Sequence, residues 1–562
     1  MATVAVYDYI VVGAGTCGSL LANRLSSNPE LSVALIDPGV DTRGNEAVED
    51  PAQWIEVGQT SLNWDYQSEP QPQLGNRRLS MPAGKGIGGT SLINGMTYVR
   101  GDKAQFDAWE SIGNPGWNWD SMLQYYIELE HLFAPNQWQL DAGASYDEHY
   151  HGFDGELSVG FNPDLHNGTF YNLARETWAS LGHDHNDDVN RGVTDGFSIW
   201  PQTLDPVKNT RADAATAFLW PIADRNNLFF VNGTASRVAW GNESCLPVAQ
   251  GVDFIAADGS LQTALARKEV ILAAGALRTP LILEKSGVGH AARLQNLDID
   301  VVVDLPGVGE NMIEQPNNVI VYNNAAGPIP GYTPYGTFIT AKELFGADEE
   351  KIALQTKESI PAYAEQIVKG SNGALEIAAV QKLLEIQYNI MFEQNTTIAE
   401  VFTAASGTSL ASAFWALMPL SRGSVHLKTK EAINDPQIDP HYLDNPLDVH
   451  TQVEIGRLCS KFWAGTGIDF TTIAGAQANA TNEEWTTFIK DTVAANSHSL
   501  GSTAMMSRDL GGVVDDQLRV YGTRGLRVVD AGVLPLQFSG HLTATLYAVA
   551  QRAAEMILKG SL

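Results

Sequence analysis

The chain has 562 residues, 44% of them hydrophobic and 18% charged, with 65 acidic side chains against 35 basic ones and a net charge of -30. That length exceeds what one hydrophobic core sustains, so two or more lobes are expected, and no apolar run reaches the roughly 18 residues of a membrane span. So acidic a surface repels phosphate backbones and acidic lipid, which sets nucleic acid and membranes aside as partners and favours a small neutral molecule.

Three cysteines, Cys17, Cys245 and Cys459, allow one disulfide at most, and whether Cys245 and Cys459 pair is open. The opening "MATVAVYDYIVVG" shows no basic region before an apolar run, so a secretory signal is either missing or already removed. Sequons stand at Asn167, Asn232, Asn242, Asn395 and Asn479. They fit a secreted glycoprotein without establishing one.

"YDYIVVGAGTCGSLLANRLSSNPELSVALIDPG" predicts a strand over Tyr9 to Val12, a glycine turn, a helix ending near Ser27, and a second strand from Val33 to Ile36. Such a βαβ unit begins a doubly wound α/β fold. Gly13, Gly15 and Gly18 form GxGxxG, a weak pattern by itself in a chain with 52 glycines. Its position between strand and helix, with Asp37 closing the second strand, makes it a dinucleotide site. Gly13 permits the tight turn, Gly15 lets a diphosphate approach the backbone, Gly18 allows close helix packing, and Asp37 accepts from ribose hydroxyls. Thr16 and Cys17 open the helix and join the candidate binding set; the Cys17 thiol reads as a small packed group, not a nucleophile.

The next glycine-rich stretch, "MPAGKGIGGTSLINGMTYVRG" (Met81 to Gly101), presents Gly84, Gly86, Gly88, Gly89 and Thr90 on a loop whose backbone N–H groups can face phosphate or ring atoms. "DEHYH" (Asp147 to His151) and "GHDHNDD" (Gly182 to Asp188) lack metal-site spacing and read as acidic surface loops, so no metal is expected. "LARKEVILAAGALRTPLILEKSGVG" predicts a buried strand over Glu269 to Ala273 and a helix starting near Thr279 and Pro280. "LRVVDAGVLP" and the alanine-rich run after "SGHL" add a final strand, turn and helix. Strand-turn-helix units returning from far along the chain favour a permanently bound FAD over NAD. No G-x-S-x-G marks a hydrolase elbow.

These stretches, with "DLPGVGENM" (Asp304 to Met312), "PLSRGSVHL" (Pro419 to Leu427) and the segment from Asn496 to Tyr547, resemble the glucose-methanol-choline family of FAD oxidoreductases. The likeness spans nearly the whole chain and is nearest the fungal glucose oxidase, FAD glucose dehydrogenase and aryl-alcohol oxidase branch. It implies that His498 is the base taking the hydroxyl proton while hydride passes to flavin N5, and that His541 orients the alcohol oxygen. It places Asn94, Gly95 and Met96 against the flavin, Asp530 and Ala531 near the diphosphate, Leu542 and Thr543 near the pyrimidine edge, and Ala235 at adenine.

Asn496 and His498 are two residues apart, so in an extended segment both face one way, which puts Asn496 beside the substrate. The matching pattern in glucose oxidases is Arg-x-Asn-x-His; here Ala494 stands where the arginine would be, which weakens the case for glucose. "SLINGMT" holds no histidine or cysteine, so the FAD is expected to be non-covalent.

The expected architecture is a Rossmann-type FAD-binding domain from residues 1–155, 205–326 and 494–562. A substrate-binding α+β domain with a mostly antiparallel sheet takes 156–204 and 327–493. The expected activity is oxidation of the CH–OH group of a sugar or a primary or aryl alcohol, with oxygen or a quinone-like acceptor, in a secreted fungal enzyme. A hydroxynitrile lyase with non-redox FAD is the alternative.

Overall fold

The run "YIVV" from Tyr9 to Val12 is buried throughout, as are Val33 to Ile36 and Val270 to Leu272. Unbroken apolar runs of this kind suit parallel strands covered on both faces. In the computed structural model, which describes residues 5–165, 169–241, 246–325, 327–330, 334–477 and 479–560, they form the middle of one sheet. Strand Ala5–Val12 pairs in parallel with Val33–Asp37 on one side and with Leu261–Leu272 on the other. Leu228–Gly241 extends the sheet beyond Val33–Asp37, and Leu526–Val528 extends it beyond Leu261–Leu272. Antiparallel Val248–Ala256 bridges the outer halves of Leu228–Gly241 and Leu261–Leu272.

Helix Thr16–Leu25 lies close on this sheet because two glycines make room. Gly13 has φ of +101°, and a Cβ there would meet the Ala273 carbonyl oxygen at 2.4 Å. A Cβ on Gly18 would stand 1.8 Å from the Gly13 carbonyl oxygen. Helix Leu542–Gly560 packs alongside, with the Cys17 thiol 3.5 Å from the Leu546 carbonyl and Arg24 Nε donating to Gln551 Oε1 at 2.7 Å. Leu20, Leu21 and Leu25 are fully buried beneath it, each contributing about 1.5–3 kcal/mol.

The second sheet is antiparallel between all neighbours, in the order Phe470–Ala474, Pro316–Asn324, Ser409–Ala416, Thr397–Ser406, Tyr335–Thr340, Gly196–Ile199. Along Pro316–Asn324 buried and more exposed residues alternate, the period-two signature of a strand with one covered face. Helix Pro446–Gly465 closes over the sheet, where Trp463 Nε1 donates to Ser412 Oγ at 2.9 Å. The short strand Ala494–Ala495 pairs with Pro316 and Asn317. Pro316–Asn324 and Ala494–Ala495, expected in the dinucleotide domain, thus sit in the second sheet. Their segments carry chain between the two layers, which delivers the residues after Ala495 to the junction.

Among the described residues no helix is long and apolar enough to cross a membrane. Cys17 and Cys459 are buried free thiols; Cys245 lies outside the described residues. The two stretches expected as acidic surface loops are instead partly internal. His151 is buried between Glu130 (Nδ1 to Oε1, 2.9 Å) and Asp188 (Nε2 to Oδ2, 3.1 Å), and Arg100 pairs with Glu130 at 2.8 Å. Charge neutralised within such a cluster lets polar sequence go inside.

Candidate active site

A cavity of about 770 Å³ opens at the junction of the two sheets. One end is built from the first glycine turn, the second glycine loop, the strand end at Asp37 and Ala235 within strand Leu228–Gly241; the other carries both imidazoles. Gly13, Gly15, Thr16, Cys17, Asp37, Gly84, Gly89, Thr90, Asn94, Gly95, Met96, Ala235, Asn496, His498, Asp530, Ala531, His541, Leu542 and Thr543 all lie on its wall. Gly86 does not: it is pressed against Gly39, whose absent Cβ would come 2.6 Å from the Gly86 carbonyl carbon. It packs within the loop against Leu92, Thr42 and Leu62 and stands off the cavity wall.

The glycine end suits a dinucleotide. A Cβ on Gly15 would meet only Gly89 Cα, at 3.7 Å, so its side of the turn faces open space. The two glycine loops are joined by a bond of 2.7 Å from Gly88 N–H to the Ala14 carbonyl. No side chain caps the first turn of helix Thr16–Leu25, which leaves its backbone N–H groups and the positive end of its dipole for an anion. Asp37 accepts from the N–H groups of Ala14 (2.7 Å) and Gly39 (2.6 Å), and burial raises its carboxyl above the usual range. The cations on the wall are Lys85 and Arg278, which lie 4.7 and 4.4 Å from the ring of Trp64. Arg278 also donates to Tyr66 Oη at 2.9 Å. Two positive groups and an uncapped helix start match a doubly negative diphosphate.

At the opposite end the rings of His498 and His541 stand 5.0 Å apart, centre to centre, and meet at 85°. His498 Nδ1 lies 2.7 Å from Gln315 Oε1, and its backbone N–H donates to Glu314 Oε1 at 3.0 Å. Burial, with neighbouring His541 adding to it, holds the His498 imidazole well below its ordinary range, so the ring is neutral at pH 7. His541 Nε2 pairs with Glu400 Oε1 at 2.9 Å, and burial pushes the Glu400 carboxyl up while His541 pulls it back. Glu314, bonded to the Ser499 hydroxyl, is pushed up to about 7 by burial. Aromatic side chains surround His541: Trp200 at 5.7 Å and Trp415 at 6.0 Å between ring centres, with Phe402 stacked on Trp200 at 5.6 Å. A neutral imidazole and a carboxylate-linked one over one cavity have the chemistry to accept and donate a proton at a hydroxyl group.

A model of the GMC oxidoreductase family matches residues 7–317, and its C-terminal counterpart matches 419–550. The chain belongs to the GMC oxidoreductase family. It is 45% identical to a glucose oxidase-like protein, fsoC, of Humicola fuscoatra, over 99% of this chain and 96% of that one. It is 33% identical to a glucose oxidase of Penicillium chrysogenum, over 98% and 92%. Among solved structures it superposes on an FAD-dependent oxidoreductase from Chaetomium thermophilum with a TM-score of 0.90 at 28% identity, covering 99% of both chains. A fungal aryl-alcohol oxidase gives 0.86 at 25%, again over 99% of both. As a GMC oxidoreductase the protein binds FAD and acts as an FAD-dependent oxidase or dehydrogenase on CH–OH donors.

Within this GMC site, some side chains do other than the sequence suggested. Asn496 lines the cavity, but its amide is engaged: Oδ1 accepts from Asn317 Nδ2 at 2.9 Å, and Nδ2 donates to Gln315 Oε1 at 3.0 Å and lies 3.0 Å from His498 Nδ1. Asp530 accepts from the N–H of Gly275 at 3.0 Å and from the Thr279 hydroxyl at 2.6 Å. The Asn94 amide bonds Thr543 Oγ1 at 3.1 Å and Arg211 at 2.8 Å, tying the loop to the start of helix Leu542–Gly560. Gln315, Asn317, Glu400, Phe402, Trp200, Trp415, Lys85 and Arg278 were missed. One of them had a signal: Glu400 is a lone acid in the apolar run "TIAEVF", and acids are seldom buried without a partner.

Proposed function

We propose that this enzyme oxidises a primary alcohol carrying a flat apolar body, of the benzylic kind, to its aldehyde, in preference to glucose. The observation that carries this reading is the aromatic wall of Trp200, Phe402 and Trp415 around His541. Every charged side chain on the cavity wall other than the histidines belongs to the glycine end or to the Asp530 turn: Asp37, Lys85, Arg278 and Asp530. Ala494 is exposed and lies off the cavity, so nothing there replaces a sugar-binding arginine. A sugar would leave hydroxyls unpaired against aromatic rings, whereas a planar ring gains from stacking.

Bound FAD supplies the hydride acceptor. His498, neutral and with no hydrogen-bond partner of its own at Nε2 among the described residues, takes the hydroxyl proton as hydride leaves the same carbon. His541, held by Glu400, orients the alcohol oxygen. Asp37, Ala235, Lys85, Arg278 and the two glycine loops hold the dinucleotide, without a covalent link. The aromatic walls exclude water from the carbon that loses hydride. Dioxygen receives the two electrons, as the oxidase names of the relatives suggest, and a quinone acceptor is the alternative outcome. The dinucleotide domain is assigned to the first sheet and the substrate domain to the second.

Sequons Asn232, Asn395 and Asn479 are exposed, which supports secretion with glycosylation; Asn167 and Asn242 lie outside the described residues. The deciding experiment is a panel of benzylic alcohols, aliphatic alcohols and glucose, assayed in parallel with oxygen and a quinone dye. Glucose as the best substrate would overturn the specificity, and failure of every alcohol to bleach the flavin band would overturn the reaction.

A further inference from the structure

Of the two imidazoles, one is paired with a carboxylate and the other with neutral amides. His541 Nε2 meets Glu400. His498 Nδ1 meets two amides, Gln315 Oε1 at 2.7 Å and Asn496 Nδ2 at 3.0 Å. The orientation of that amide is not free. Gln315 Nε2 lies 2.9 Å from the backbone carbonyl of Leu417, which can only accept, so the nitrogen is on that side and Oε1 faces His498. Asn496 Nδ2, turned that way by the bond Asn317 makes to its Oδ1, donates to the same Oε1 at 3.0 Å and stands 3.0 Å from His498 Nδ1. Asn496 Nδ2 is served by Gln315 Oε1, whereas the shorter contact at Nδ1 is that acceptor at 2.7 Å, where a bare Nδ1 would set two lone pairs against each other.

We infer that Gln315 is a positioning residue that fixes the proton of neutral His498 on Nδ1, which leaves Nε2 bare and turned to the substrate hydroxyl. The inference rests on the reading of His498 as the base. It adds which nitrogen acts, what selects it, and why the partner is an amide. A carboxylate in that position would stabilise imidazolium and keep the base protonated near neutral pH; an amide orients the ring without charging it. Other titratable groups face His498 from each packed segment. His541 approaches edge to face, with Glu400 behind it on strand Thr397–Ser406, and Glu314 sits under the His498 backbone. Asn317, Asn496 and Ser499 complete the surroundings and carry no charge.

The test uses the FAD-loaded enzyme and the variants Gln315→Met and Gln315→Glu, with flavin content and far-UV spectra confirming that each folds. In 15N-histidine spectra, with His498→Ala assigning the signal, wild-type His498 should be neutral with its proton on Nδ1. In Gln315→Met that signal should move towards the other tautomer. In anaerobic rapid mixing, Gln315→Met should lower the rate of flavin bleaching by at least about tenfold without a matching change in substrate affinity. Gln315→Glu should move the acidic limb of that rate upward by about one pH unit or more. A His498 proton on Nε2 in the wild type, or a Gln315→Met enzyme with an unaltered tautomer, rate and pH limb, overturns the inference. If no alcohol bleaches the wild-type flavin, the reaction assignment fails, and the tautomer signal alone decides the role of Gln315.

Discussion

His498 and His541 face each other edge to plane, 5.0 Å between ring centres, yet arrive from segments held by different partners, Gln315 and Glu400. Replacing His498 by Ala removes the base and leaves the glycine end untouched. Flavin bleaching should slow by about 10²–10⁴-fold while FAD remains bound at wild-type stoichiometry, which stopped-flow and absorbance of the purified protein measure together.

Glu400→Gln keeps an acceptor or donor beside His541 but removes the carboxylate. The imidazole then loses its charged partner, so turnover of the best alcohol should drop by about tenfold or more while binding of a non-reactive analogue changes little. Steady-state kinetics beside analogue titration checks this, and equal turnover would show that the pair is structural only.

Two glycines three residues apart, Gly15 and Gly18, make opposite predictions when given the same methyl group. Gly15→Ala adds its methyl to open cavity, so the fold should persist while FAD affinity falls; apoprotein titration with FAD reads it out. Gly18→Ala drives its methyl into the Gly13 carbonyl at 1.8 Å, so folded yield should collapse before binding can be assayed.

Truncating Phe402 to Ala opens the wall stacked on Trp200. KM for a benzylic alcohol should rise by about tenfold, equivalent to about 1.4 kcal/mol, with a smaller change for a short aliphatic alcohol. Uniform loss across both substrates would count against stacking.

The buried His426 imidazole sits between Glu284 (2.8 Å) and Glu310 (3.2 Å). Burial works against its charge, but the two carboxylates outweigh it and raise the group to about 9. A folded value above the unfolded 6.5 means this contribution to stability is complete below pH 6.5 and is lost as pH climbs through 9. His426→Gln should cost about 3–5 kcal/mol near neutrality, because Glu310 loses its cation and Glu284 keeps only Arg293, and should flatten the alkaline decline in Tm.

The dinucleotide half was legible because its signals are local. Strand, GxGxxG, helix and Asp37 lie within one short stretch, and Gly18 answers to a steric demand at Gly13, five residues earlier. The active end was legible only as two histidines. Their partners come from antiparallel strands whose pairing is set by tertiary packing: Gln315 is 183 residues from His498, and Glu400 is 141 from His541. No periodicity announces such a meeting. The loops holding His151 and Asp188 misled for a related reason, since charge density reads as exposure until Glu130 and Arg100 are brought in to neutralise it.

Helix Leu542–Gly560 lies against helix Thr16–Leu25, and Leu542 and Thr543 share a cavity wall with Gly13 and Gly15. During synthesis the first glycine turn therefore leaves the ribosome more than five hundred residues ahead of the helix that completes its binding cradle. The cradle is complete only late in synthesis, and a nascent chain halted before that helix would present an unfinished half-site to the cell's chaperones.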